Sequence, residues 1–303
     1  MSRYAVGPSE LTRYSRCAQR SAAKVITAYS TSFGMASRLL HRRYRSHVAN
    51  IYALVRVADE LVDGAAAEAG VSAGLQRRLL DELESETNRA ISDGYSVNLV
   101  VHAFARTART AGIGRDLTAP FFASMRRDLA AEALDGDGVR EYIYGSAEVV
   151  GLMCLRVFLH DEHHDPEARR RLEDGARRLG AAFQKVNFLR DLSADWNGLG
   201  RNYFPSVQPD ALTEAQKHAL LADIDDDLAA AAAVIPELPK GCRGAVAAAH
   251  QLFAALSRRL RNTPADELLR TRVRVPAGEK AGILVRSALR RGDALGRAGR
   301  SAA

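Results

Sequence analysis

Two acidic clusters of the same form, each set in an apolar helical run, constrain what this chain can become. The first is Asp59-Glu60-Leu61-Val62-Asp63 and the second is Asp191-Leu192-Ser193-Ala194-Asp195. Each places two aspartates at i and i+4, which share one face of an α-helix. Like charges so placed repel by about 0.2–0.5 kcal/mol, and burying them unpaired costs far more. A chain that does this twice is built to give four carboxylates a partner. Magnesium suits them, with manganese as a substitute, because hard cations take oxygen ligands and bridge carboxylates to substrate phosphates. The first expectation is a helical enzyme acting on a diphosphate.

Taken singly, either cluster reads equally well as a solvated helix face. The neighbours decide otherwise. Asp59 and Asp63 are flanked by Val55, Val57, Ala58, Leu61 and Val62, and Asp191 and Asp195 follow Phe183, Val186, Phe188 and Leu189. Solvated faces are not hemmed in this way. Other polar groups lead up to each pair at helical spacing. Arg56 lies three residues before Asp59, and Tyr52 four before Arg56. Gln184, Asn187, Asp191 and Asp195 share a face, with Arg190 beside them and Arg201 and Tyr203 in the loop that follows. Arginine offers a rigid fork for diphosphate oxygens. It serves equally well as an ion-pair partner for the aspartates, and both roles can hold in turn.

Organisation follows from pattern and composition. The chain has 303 residues, 47% of them apolar. Alanine is abundant and β-branched runs are few, which favours helix. Helical spacing is predicted for 11–29, 45–63, 66–92, 97–111, 119–133 (with Pro120 in the first turn), 139–160, 166–195, 213–234, 241–261 and 279–290. Asp135-Gly136-Asp137-Gly138 reads as a turn, 139–160 as the central apolar helix, and 196–209 as a loop. No alternating strand pattern, repeat or linker emerges. The expectation is one all-α domain over 1–303, its site in the core of a helical bundle, with flexible ends at 1–10 and 291–303.

The net charge of +7 suits an anionic ligand or membrane surface. It is too scattered for a nucleic-acid stripe, and 6% aromatic content offers no base-stacking platform. No nucleic-acid partner is expected. Cys17, Cys154 and Cys242 are odd in number and far apart, which points to a reducing compartment without disulfides. No stretch approaches the roughly 18 apolar residues of a spanning helix, and the N-terminus lacks a signal-peptide core. A cytoplasmic protein is expected. His160, His163 and His164 read as loop residues, not a metal site. The sequence sets no oligomeric state.

Several segments, in order, resemble one family. Ser30-Thr31-Ser32-Phe33 resembles its S-x-S-F opening, and Tyr52 to Asp63 its Y-x-x-x-R-x-x-D-x-x-x-D signature. The run Tyr142-Ile143-Tyr144-Gly145-Ser146-Ala147-Glu148-Val149-Val150-Gly151 resembles its central glycine-containing helix. Leu179 to Asp191 resembles L-G-x-A-x-Q-x-x-N-x-x-R-D, and Asp195 with Gly200-Arg201-Asn202-Tyr203-Phe204-Pro205 completes the set. The family is that of the squalene and phytoene synthases, which join prenyl diphosphates head to head. The likeness is strongest to bacterial phytoene synthases.

The resemblance implies an all-α isoprenoid-synthase fold around a deep central cavity. It implies Asp59, Asp63, Asp191 and Asp195 as magnesium-binding carboxylates, assisted by Asn187. Arg56, Arg190 and Arg45 become diphosphate contacts. Ser30, Ser32, Phe33, Tyr52, Gln184, Arg201 and Tyr203 line the site, and Tyr142 matches an aromatic position beside the reacting carbons. Two geranylgeranyl diphosphates would give phytoene without NADPH. The alternatives are a farnesyl diphosphate-using synthase of squalene, dehydrosqualene or hydroxysqualene, and a noncatalytic binding or assembly protein. Greasy substrates and the basic excess add an expectation of peripheral membrane contact. Two positions depart from the family pattern. Ser146-Ala147-Glu148 stands where Val-Ala-Gly is usual, so Glu148 either adds a carboxylate to the cavity or sits at its edge. Phe253 stands where tyrosine is common, with Arg272 and Arg274 as candidate replacements for the lost phenol.

Overall fold

The helix-favouring composition carries through to three dimensions. In the computed structural model every regular element among the described residues is helical. Described are residues 9–30, 32–130, 134–199, 202–205, 207–208 and 211–298, without the side chains of Ser32, 195–199 and 289–298. The elements are α1 (Glu10–Tyr29), α2 (Ser32–Ser37), α3 (Arg42–Asp63), α4 (Ala65–Glu68), α5 (Ala73–Asp93), α6 (Leu99–Ala111) and α7 (Arg115–Asp128). Then come α8 (Gly136–Ile143), a π turn (Tyr144–Glu148), α9 (Val149–Leu159) and α10 (Pro166–Leu199). The chain closes with α11 (Glu214–Val234), α12 (Lys240–Asn262), α13 (Ala265–Leu268) and α14 (Ala277–Ala298).

Side-chain caps start most of the long helices by satisfying their free amides. Ser9, Ser72, Asn98 and Asp135 cap α1, α5, α6 and α8. Asp165 accepts from the Glu167 and Ala168 amides to open α10. Thr213 and Gln216 form a reciprocal capping box at α11.

Caps also explain where the expected boundaries move. The helix expected over 66–92 is two, because Gly70 turns at φ +76° and Ser72 starts α5 afresh. The supposed turn at 135–138 is the cap and first turn of α8. Helix α7 begins at Arg115, so Pro120 lies inside it and not in the first turn. Trp196 to Leu199, expected in a loop, extend α10, and α14 runs on to Ala298.

Two apolar clusters fill the interior. One joins α3, α5, α6, α7 and α9 through residues such as Ile51, Leu54, Leu80, Phe104, Phe122 and Met153. The other joins α8, α10, α11 and α12 through Tyr142, Phe188, Leu189, Leu221 and Leu260. The central helix Gly136–Leu159 is, against expectation, long and apolar enough to cross a membrane by length and composition. Half of its apolar window is buried inside the fold. Its residues Val149, Met153 and Phe158 belong to the first cluster, the environment of a core helix.

Candidate active site

Helices α3 and α10 place the aspartates. Tyr44, near the start of α3, donates to the Phe158 carbonyl at the end of α9 (3.2 Å). Helix α9 then turns through 160–165 into the start of α10. The C-terminal halves of α3 and α10 therefore run the same way. Between them lies a cavity of about 360 Å³. Its lining on α10 runs from Leu172 to Asn187, a span of about 22 Å at the helical rise. On α3 it runs from Val48 to Val55. Asp59 comes one turn after Val55 and Asp191 one turn after Asn187, so both aspartates stand at the same end of the cavity.

The walls are apolar, as the sequence of these helices requires. Val48, Ile51, Leu155, Phe158, Leu179 and Val234 are among the lining residues, and polar groups are few. Of the expected site residues, Phe33, Tyr52 and Asn187 line the cavity. Phe33 stacks on Tyr52 with centroids 6.0 Å apart. Burial pushes the Tyr52 phenol above its ordinary pKa, against the opposing pull of Arg56 and Ser30. Ser30 also accepts from the Phe33 amide (3.0 Å) and so shapes the α1–α2 corner. Gln184 is half-buried on α10, one turn before Phe188.

Electrostatics differ between the two clusters. Arg56 bonds Asp59 at 2.5 Å and also pairs with Glu60, and its guanidinium lies 4.4 Å from the Tyr29 ring centre. Asp63 is exposed at the last residue of α3. Asp191 is gripped from two sides. Arg190 reaches it through Nε at 2.9 Å and also through Nη2. Arg272, from the segment between α13 and α14, reaches it at 2.7 and 3.2 Å. Arg201 and the side chains of Ser32 and Asp195 lie outside the described residues.

Arg45, Tyr142 and Tyr203 are among the expected residues that do not line the cavity. Arg45 donates to the Arg38 and Leu40 carbonyls (2.6 and 3.1 Å), closing the turn after α2. Tyr142 is buried behind the cavity wall. Its hydroxyl donates to Asp128 (2.8 Å), and burial, then Asp128 and Tyr203, hold its phenol well above the ordinary pKa. Tyr203 stacks face to face on Phe188 at 4.0 Å, with Tyr142 5.2 Å away. Glu148 settles its own question: it pairs outside with Arg177 at 2.7 Å and does not line the cavity. Phe253 stacks on Phe183 at 3.8 Å. Sequence reading missed Asp128, which shares no helical spacing with any motif. It also missed the grip of Arg272 on Asp191, since that contact spans 81 positions.

The donor set is suited to magnesium. Asp59, Asp63, Asp191 and the Asn187 amide offer hard oxygens only, as this ion prefers. Among the described residues no three acidic, histidine or cysteine side chains converge into a cage. An ion held by one or two carboxylates and completed by diphosphate oxygens and water needs none. Arginines pair with Asp59 and Asp191, so an arriving cation and diphosphate could exchange partners with them without leaving a buried charge alone.

Known proteins resemble this chain in sequence and in fold. The family profile described as squalene/phytoene synthase matches residues 26–279. A 15-cis-phytoene synthase of Paracoccus sp. is 28% identical over 277 residues, covering 86% of this chain and 88% of that protein. A phytoene synthase of Cereibacter sphaeroides is 27% identical over 267 residues, covering 82% and 73%. The crystal structure of a dehydrosqualene synthase with ligand superposes with a TM-score of 0.76 at 21% identity, covering 91% of this chain and 96% of that one.

Proposed function

Because the chain belongs to the squalene/phytoene synthase family, a family of prenyltransferases, we propose that it joins two geranylgeranyl diphosphates head to head to give phytoene. The balanced change is two diphosphates and two protons released for one forty-carbon hydrocarbon formed: one proton leaves as the cyclopropylcarbinyl diphosphate forms and the other as the central double bond closes. No reductant enters, so NADPH is not required. The reading is carried by the long apolar cavity between α3 and α10, the two helices that carry the aspartate clusters. The names of the Paracoccus and Cereibacter relatives favour the forty-carbon product.

The chain's own residues account for the chemistry in parts. Arg56, Arg190 and Arg272 bind the diphosphates through their forks. Asp59, Asp63 and Asp191, with Asn187 and Asp195, would hold magnesium, which when bound supplies Lewis-acid stabilisation of the departing diphosphate. The apolar walls keep water from the allylic cation left behind. The Phe33 and Tyr52 rings, stacked at the wall, offer π faces to that cation.

The test is to incubate the protein with magnesium and either geranylgeranyl or farnesyl diphosphate, with and without NADPH, and identify the hydrocarbon. Phytoene from the longer substrate without NADPH is the expected result. A thirty-carbon product from farnesyl diphosphate alone would overturn the chain length and place the protein with the squalene-type synthases. No product from either would leave a binding or assembly role.

A further inference from the structure

The central helix contains a fault at its most consequential point. Tyr144–Glu148 is a π turn between α8 and α9, closed by the Val149 amide donating to the Tyr144 carbonyl five residues back. Such turns insert about one extra residue and are frequent at functional sites. One residue corresponds to about 100° of helical rotation. The π turn therefore sets the rotation of α8 relative to α9. Within and after it, Ser146, Ala147, Val150 and Cys154 face the cavity. Before it, Tyr142 meets Asp128, Phe188 and Tyr203.

Two neighbours press on this turn. A Cβ at Gly145 would lie 2.3 Å from the Pro120 carbonyl oxygen of α7, and one at Gly180 of α10 would lie 2.6 Å from the Ala147 oxygen. The turn thus has backbone packed on both flanks and no room to move as a body. What backbone packing leaves open is its winding. The Ser146 hydroxyl is buried with no hydrogen-bond partner, so the turn is not held from the cavity side. It is held from the outer side. Arg177 of α10 reaches Glu148 at 2.7 Å and lies 5.5 Å from the Tyr144 ring centre. One guanidinium thereby ties together the first and last residues of the π turn. Glu148 is 15% and Arg177 49% exposed, so the carboxylate side of the pair is shielded while the guanidinium side meets solvent.

We propose that Glu148 and Arg177 are positioning residues, whose ion pair locks the π turn and with it the relative setting of the cavity wall and Tyr142. Neither touches the reacting atoms. The role in catalysis rests on the prenyl-synthase reading above, whereas the role in the turn does not.

Two readouts test the pair in the full chain, with Glu148→Gln, Arg177→Met and the charge-swapped double variant Glu148→Arg/Arg177→Glu. Hydrogen exchange at the Val149 amide should quicken about tenfold in each single variant, with α9 beyond Met153 unchanged, and return towards the native rate in the swap. Turnover on the diphosphate substrate should fall about fivefold in the single variants, with KM within twofold, and recover in the swap. Unchanged exchange at Val149 in both single variants would overturn the proposal, as would quickening spread evenly along α8 to α10. Altered exchange with unaltered turnover would also overturn it, reducing the pair to a structural tie. If the native protein turns over no prenyl diphosphate, the functional reading falls, and exchange alone decides whether the pair locks the turn.

Discussion

The two aspartate clusters look alike in sequence and are held differently in space. On α3 the ion pairs among the described residues are local. Asp59 pairs with Arg56 three residues away, and Glu60 shares the same guanidinium. On α10 the arrangement is half local and half distant: Arg190 is the chain neighbour of Asp191, while Arg272 arrives from 81 positions away. The second cluster therefore depends on how the segment between α13 and α14 is docked.

The largest effect should come from removing one carboxylate at either cluster. Asp59→Asn and Asp191→Asn are each expected to lower kcat/KM by about 10²–10³, the scale of losing one transition-state electrostatic group. If only one of them does so, the clusters are not chemically equivalent. A smaller and asymmetric effect is expected from the arginines. Arg272→Lys should reduce kcat/KM about tenfold despite keeping its charge, because a point charge does not replace a fork that meets both oxygens of Asp191. Full activity in Arg272→Lys would show that the distant arm contributes charge alone.

Away from the clusters, Tyr142→Phe removes a buried donor to Asp128. It should cost about 1–3 kcal/mol of stability, read from denaturant unfolding. The phenol also predicts an alkaline limit. Its folded pKa is raised above the unfolded value of 10.0. Its contribution is thus fully present below pH 10 and is lost as pH rises through the folded value. Tyr142→Phe should flatten that alkaline loss. The smallest effect is expected for Phe253→Tyr. Its ring already stacks on Phe183, so added hydroxyl should leave kcat within about twofold, on the scale of one weak hydrogen bond. A large gain would mean that the phenol missing from this position matters after all.

Part of the cavity lining was legible because it repeats at helical spacing. Tyr52 and Asn187 each lie on the same helix as the aspartates they precede, and both line the cavity. The rest had no such signal. Arg45, expected as a diphosphate contact, uses one guanidinium nitrogen on the Arg38 and Leu40 carbonyls, contacts that the sequence did not signal. Tyr142 resembled a cavity residue, yet it is buried against Phe188 and Tyr203 and does not line the cavity. Boundary errors had local causes, such as the Gly70–Ser72 break and the Asp135 cap.

By itself, then, the sequence determined that the chain is helical, which helices carry acid on an apolar background, and which family it joins. These are properties of residues a few positions apart, where spacing and side-chain chemistry suffice. The tertiary structure alone decided that both clusters share one end of the cavity, that Arg272 completes the second, and that Glu148 faces outward onto Arg177. Each of these depends on how one helix is rotated against another. That rotation is fixed by backbone close contacts such as Gly145 on Pro120 and by a π turn one residue too long for an α-helix, neither of which leaves a period in the sequence.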